Sequence, residues 1–429
     1  MIKCRTYFRI QSFILLLCIL NFISCLPQRT ESKPKIIIWH WMTDRQSTFE
    51  ELAKRYKEEK EIEVNFEIFS PPGVYSQKVQ SAAPAQNLPE IFGILGEKKV
   101  LASFVKGGYV LNLTPYLEGE WKERFSSFAL LNTKFEEANI YGIDEGFYGI
   151  PIDLMNIQFL YNKSIFERLG LDPERPPSDF KEFLDIAKRA KKELDIEGFV
   201  CGWAETWLIY CLLTNYAFNI MGEEKFFSTL EGRIPYTDPD WIKVFSVFSE
   251  MREIASGEIL TMPNKEAEQM FAREKAVFSF NGSWGINDYR RMNPELNYGV
   301  FLPPKIGEYP VKIWGGAGSS FMVNPNSLFK EEAIEFLKWL TSGEIQLYLA
   351  KNTNNLPSVD LGKEPINPKL NEFLRNEESI THPNIWPIFE DSRVIEEINR
   401  QMQRIIINRT TPEAAAEEIQ KTKERVLKE

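Results

Sequence analysis

The sequence predicts an α/β protein of two lobes, each a helix-covered, mostly parallel sheet. Three observations predict it. Strand-like and helix-like periods alternate from the first ordered residues onward, which is the mark of β-α-β units. The 429 residues exceed what a single core usually holds and suit two lobes. No single break in composition divides the chain, which fits lobes built from discontinuous segments, where the chain crosses between them more than once.

The opening unit shows the alternation. Lys35 to Trp39 (KIIIW) reads as a buried strand. Ser47-x-x-Glu50 reads as a capping box, with Phe49, Leu52, Ala53 and Tyr56 following at helical spacing. Ile62, Val64, Phe66 and Ile68 alternate as a strand does. Further helices are predicted over Phe180 to Lys192, Lys330 to Leu340 and Val394 to Ile407. A last one starts at Thr411-Pro412-Glu413, where proline occupies the first helical position. The apolar content of 43% is that of a globular chain, and the 13% of aromatic residues is high enough that many rings must find places outside one core.

The N-terminus reads as a targeting segment. Lys3, Arg5 and Arg9 form a basic region, and Phe13 to Leu20 an apolar stretch too short for a bilayer, which needs roughly 20 residues. Phe22-Ile23-Ser24-Cys25 resembles the bacterial lipoprotein cleavage box, with Phe22 where leucine is usual; it implies lipidation of Cys25, the alternative being ordinary secretion with a later cut. Residues 26–34 read as a polar tether. Removing residues 1–24 takes away Lys3, Arg5 and Arg9 and no acid, leaving 48 basic against 61 acidic residues, a net charge of −13. That balance argues against nucleic acid as a partner. Of the remaining cysteines, Cys201 and Cys211 have a spacing that leaves their pairing open.

Catalytic signatures are few. With two histidines, His40 and His382, a histidine-based triad or metal site has little to build on. His40 alternates with Trp39 and Trp41 and reads as a sheet-end residue. Gly315-Gly316-Ala317-Gly318 precedes a strand-like segment, SSFMV, and so lacks the helix N-terminus that a phosphate loop needs. Carboxylate pairs abound, as in any acidic protein, but none is marked out as a glycosidase pair. The expectation is a binding protein, not an enzyme, with no cofactor and no metal.

The tryptophans carry the sharper signal. Trp39 ends the first strand and Trp41 follows it. Trp203 and Trp207 follow the strand-like GFVC, Trp284 follows AVFSF, and Trp314 precedes the glycine run. Strand ends are the binding edge of an open α/β sheet. Indoles there, beside acids, amides and bare glycine N–H groups, suit a sugar, which has an apolar C–H face and a rim of hydroxyls. Trp121, Trp241 and Trp339 fall at helical positions and read as packing.

Long ordered blocks then carry a resemblance. LPEIFGILGEKKVLASFVKGGYVLNLTPYLE, YGIPIDLMNIQFLYNKSIFERLGL, FAREKAVFSFNGSW and YGVFLPPK with WGGAGSSFMVNPNSLFKEEAIEFLKWL together resemble the family 1 extracellular solute-binding proteins of carbohydrate ABC importers, over essentially the whole chain after Cys25. The resemblance implies a type II periplasmic-binding-protein-like fold. Lobe one would be residues 35–149 plus 300–350 and lobe two residues 150–299 plus 351–429. The hinge crossings would lie near Gly149-Ile150-Pro151, Val300-Phe301 and Asn354 to Ser358. It implies a monomer that closes on a sugar between its lobes, docks on an ABC permease and works outside the cytoplasm.

The resemblance also implies ligand contacts. Trp41, Asp44 and Arg45 match the first strand-to-helix turn, Glu97 and Lys98 an acid–base pair after the LPEIF strand, and Asp153 a polar position past the hinge. Trp203, Glu205 and Trp207 match a lobe-two turn, and Asn281 and Trp284 the turn whose tryptophan stacks on sugar. Trp314 and Gly316 match a contact near the hinge, and Trp386, Asp391 and Arg393 a C-terminal one. Trp41 or Trp314 would stack from one lobe and Trp284 from the other. The same fold could instead hold a glycerol phosphodiester, a phosphorylated or an amino-acid-like solute, which would need a cluster of cations in the cleft.

Overall fold

The structure, a computed structural model, describes residues 34–428 except for 96–97, 126, 140, 363, 365, 377–378 and 382–389. Cys25 and the rest of the targeting segment lie outside the described residues, as does His382. Thirteen strands are described: β1 (Lys35–His40), β2 (Glu63–Ile68), β3 (Ile91–Gly93), β4 (Lys134–Phe135), β5 (Gly146–Phe147), β6 (Ile150–Pro151), β7 (Leu154–Asn162), β8 (Glu197–Val200), β9 (Ala276–Gly282), β10 (Tyr298–Phe301), β11 (Ile313–Ala317), β12 (Ser320–Val323) and β13 (Ile380–Thr381).

Two sheets make two lobes. The first runs in the order β2-β1-β3-β12-β6, with β1 parallel to both its neighbours and β12 antiparallel to both of its own. The second runs β13-β11-β7-β9-β8, with β10 also paired to β7. Both sheets are mixed. In the first sheet β12 supplies the antiparallel pairs; in the second it is β7, a nine-residue strand that pairs antiparallel with β9, β10 and β11.

The helix Gln46–Lys60 buries Phe49, Leu52 and Tyr56, the face its period predicts. Its start differs from the expected capping box: Arg45 is the N-cap residue and no side chain caps it. Gln46 instead accepts from His40 through Oε1 (2.8 Å) and donates to Glu50 (2.7 Å), tying strand end to helix start. The helix Ser392–Ile406 buries Val394, Ile395, Ile398, Met402, Ile405 and Ile406 in the second lobe's core.

Strand pairing locates the crossings. The first is Ile152-Asp153, between β6 of one sheet and β7 of the other. The second is Gly318-Ser319, between β11 and β12, not Val300-Phe301: β10 and β11 both pair with β7, so residues 300–317 do not return to the first sheet. The third follows the helix Gly343–Thr353, where Leu356 accepts from the Leu154 amide at 2.8 Å. Cys201 and Cys211 are both buried free thiols. Among the described residues no helix is long and apolar enough to cross a membrane, and no group of three or more potential ligands gathers that could hold a metal ion.

Candidate functional site

A cleft of about 630 Å³ opens where the strand ends of the two lobes face each other, within the usual range for small-molecule sites of about 300–1,000 Å³. β1 delivers one wall. Its side chains alternate, so Trp39 and Trp41 point to one face and His40 to the other. Trp39 packs edge-on to Phe69 and donates through Nε1 to Glu67 at 2.9 Å. His40 is fully buried beside Phe49 and Phe66, and its Nδ1 accepts from the Met42 amide at 3.2 Å, fixing the turn. Trp41 reaches the cleft. Its ring lies over Gly93, where an added Cβ would stand 2.4 Å from the indole, and beside Tyr75, with ring centroids 5.1 Å apart. Gly93 is therefore the reason the indole can lie flat on the sheet end.

The opposite wall belongs to the second lobe. Trp207, at the start of the helix Trp207–Leu230, and Trp314 on β11 both line the cleft, with centroids 6.3 Å apart. Trp284 packs against Trp207, with ring centroids 5.7 Å apart, and is not among the lining residues. Its ring covers Gly282, where a Cβ would come within 1.9 Å of it. Trp314 thus shares a lobe with Trp207 and Trp284, and Trp41 is the first-lobe indole that lines the same cleft as Trp207 and Trp314. Glu205 accepts from Trp207 Nε1 (3.2 Å) and from the Asn264 amide (3.0 Å), so its carboxylate braces the turn.

Other expected contacts lie elsewhere, each for a physical reason. Trp203 is fully buried in the second lobe's core between Phe199 and Phe248. Asn281 is 1% exposed, and its amide is spent on neighbours: Nδ2 donates to Glu268 (3.0 Å) and Tyr289 (2.8 Å), and Oδ1 accepts from Asn264 (3.3 Å). Burial raises the Glu268 pKa within that network, against the pull of Asn281 and Lys265. Gly316 is a β11 strand residue opposite Met155, at a φ of 143° that favours glycine; Ala317 and Gly318 line the cleft in its place.

Arg45 and Asp153 are buried against each other, Nη2 to Oδ2 at 2.6 Å, outside the cleft. Arg45 also donates to Asn355 (2.9 Å) and to Asp44 (3.3 Å), and Asp153 Oδ1 accepts from the Ser319 amide (2.5 Å). One ion pair thereby joins all three crossings, and Asp44 is its outer member. Asp391 caps the helix Ser392–Ile406 by accepting from the Arg393 amide (2.9 Å) and pairs with the Arg393 side chain (3.0 Å). Neither lines the cleft, but their neighbours Ser392, Glu396 and Asn399 do. Glu97 and Trp386 lie outside the described residues.

Lys98 is the one basic side chain lining the cleft among the described residues. It donates to the Leu131 carbonyl at 2.9 Å, and burial lowers its pKa to about 8. The remaining polar lining is neutral or acidic: Asn132, Thr133, Thr206, Tyr210, Glu396 and Asn399 among others. Sequence reasoning missed these. For Ser392, Glu396 and Asn399 a signal existed, since steps of four and three put them on one helical face. Asn132, in a loop, gave none.

Residues 39–347 match the family model of the bacterial extracellular solute-binding proteins. An uncharacterized ABC transporter extracellular-binding protein of Pyrococcus horikoshii is 22% identical over 416 residues, 94% of this chain and 90% of that one. The multiple sugar-binding protein of Streptococcus mutans is 21% identical over 73% of each chain. The sn-glycerol-3-phosphate-binding periplasmic protein of Escherichia coli is 23% identical over 57% of this chain and 59% of its own. Among solved structures, a chitin oligosaccharide binding protein superposes with a TM-score of 0.74 at 24% identity, covering 91% of this chain and 98% of the other. The GacH receptor of Streptomyces glaucescens does so with a TM-score of 0.74 at 19% identity, covering 93% and 100%. These likenesses establish the two-lobed type II fold, and with the family match over most of its length the chain belongs to the bacterial extracellular solute-binding proteins.

Proposed function

We propose that this protein is the extracytoplasmic substrate-binding subunit of an ABC importer, holding a sugar or oligosaccharide between its lobes and presenting it to the membrane permease. The observation that carries the reading is the facing of Trp41 in one lobe by Trp207 and Trp314 in the other across a single cleft. Indole faces stack on the C–H face of a pyranose, and neutral amides and hydroxyls between them match its rim. Relatives with ABC transporter or sugar-binding names support the same reading. Lipid on Cys25 would keep the protein near the permease and raise its effective concentration there. A lipoprotein anchor of several chains would hold firmly where a single acyl chain binds marginally.

The relative that binds sn-glycerol-3-phosphate favours a second reading, an organophosphate solute. A phosphoryl group needs a cluster of donated positive charge. Among the described residues Lys98 is the one basic side chain lining the cleft, and Arg45 is committed to Asp153, which supports the neutral ligand. A thermal-shift screen separates the two. A ligand at 100 times its Kd adds about 2.7 kcal/mol to stability. A shift with an oligosaccharide and none with glycerol 3-phosphate is expected; the reverse pattern would replace this reading with the second.

A further inference from the structure

Asn132 and Asn399 each carry a buried side-chain oxygen, Oδ1, with no hydrogen-bond partner among the described residues. Of the residues carrying such atoms, these two line the cleft, and the others do not. They come from opposite sides. Asn132 sits in the first-lobe loop just before β4; Asn399 sits on the helix Ser392–Ile406, whose apolar face is packed into the second lobe's core. The Asn132 amide is oriented by its own nitrogen, since Nδ2 donates to the Ala317 carbonyl at 3.2 Å. Its oxygen is the atom left over. Asn399 follows Glu396 and Ser392 on the helical face that lines the cleft, and it is only 8% exposed. A buried acceptor without a partner is costly, and native chains retain few of them.

We propose that Asn132 and Asn399 determine specificity as a pair of acceptors, each taking a hydrogen bond from a donor on one saccharide, one from each lobe. This rests on the carbohydrate reading of the cleft. The pair selects for a ligand with hydroxyl or amide N–H groups on two edges. A ligand lacking either donor leaves one lobe's oxygen unpaired, so it is rejected by the site as a whole and not by a single contact.

The test is calorimetric titration of the purified protein with maltotriose, xylotriose, raffinose and N,N′-diacetylchitobiose. The variants Asn132→Leu, Asn399→Leu and Asn399→Asp are then titrated with whichever sugar binds. Each leucine variant is expected to bind about tenfold to a hundredfold more weakly. Asn399→Asp, which keeps the acceptor, stays within about tenfold of wild type. The unfolding midpoint of unliganded Asn399→Leu does not fall, because the oxygen it removes has no partner there. Folded leucine variants that bind as wild type overturn the proposal. Should a leucine variant not fold, monodeoxy analogues of the bound sugar test the wild-type protein: two of them are expected to bind tenfold or more weakly, and a series in which none does overturns the proposal. If wild type binds none of the four sugars, the carbohydrate reading itself falls and this proposal with it.

Discussion

Arg45 and Asp153 meet at 2.6 Å between the two sheets, and through Ser319 and Asn355 they hold the three crossings of the chain together. Removing one partner leaves the other charge buried and uncompensated, which costs about 3–5 kcal/mol. Asp153→Ala is therefore expected to lower urea stability by that order. The double change Arg45→Met with Asp153→Leu recovers part of it. A loss under about 1 kcal/mol for Asp153→Ala would show that the pair does not organise the hinge.

His40 links pH to the turn that carries Trp41. Burial pushes its pKa down to about 4, with Arg45 pushing the same way and Gln46 and Asp44 opposing. The Met42 amide already occupies Nδ1, so the neutral ring is the one that fits. A histidine depressed on folding contributes stability that is complete above its unfolded pKa of about 6.5 and is lost as pH falls through about 4. The loss amounts to about 3 kcal/mol. His40→Gln should flatten this limb of a stability-versus-pH curve measured by chemical denaturation. An unchanged limb would assign the dependence to other groups.

Gly93 matters through the ring above it. In Gly93→Ala the new Cβ would stand 2.4 Å from the Trp41 indole and 3.4 Å from the Ser320 carbonyl oxygen, so the indole must move. Sugar affinity is expected to fall about tenfold, a loss of about 1.4 kcal/mol. Titration of this variant beside Trp41→Ala checks the route: if the glycine change acts only through the ring, the double variant binds no worse than Trp41→Ala alone.

Trp203 and Trp207 lie four residues apart and should respond oppositely. Trp203→Ala empties a fully buried site and is expected to cost about 3–5 kcal/mol of stability. Trp207→Ala, on the cleft wall, is expected to cost less than half of that while weakening sugar binding tenfold or more. Thermal unfolding and titration of both variants read the two effects separately.

Much of this was legible in the chain, and the rest has identifiable causes. β1, the helix Gln46–Lys60 and β2 follow from apolar periods, and the placing of Trp41 and Trp207 follows from their positions at strand ends. Trp203 shares that position but is turned inward, a distinction that depends on packing with Phe248, far along the chain. Arg45 and Asp153 look like ligand groups in sequence because nothing local reveals that each is the other's partner. The second crossing, which the resemblance put near Val300-Phe301, lies later because Gly315 and Gly316 extend the pairing with β7. In the fold they are strand residues, and a Cβ at Gly315 would stand 2.9 Å from Asn156 on β7. The acceptors Asn132 and Asn399 become visible only once both lobes are assembled.

Indoles from both lobes are expected to hold a neutral saccharide in the cleft. Calorimetric titration of wild type and of the Trp41→Ala, Trp207→Ala double variant with the same oligosaccharides tests it most directly. Saturable one-to-one binding of at least one sugar by wild type is expected, with a loss of about a hundredfold or more in the double variant. Equal affinities in the two proteins, or binding of glycerol 3-phosphate with no response to any sugar, would contradict it.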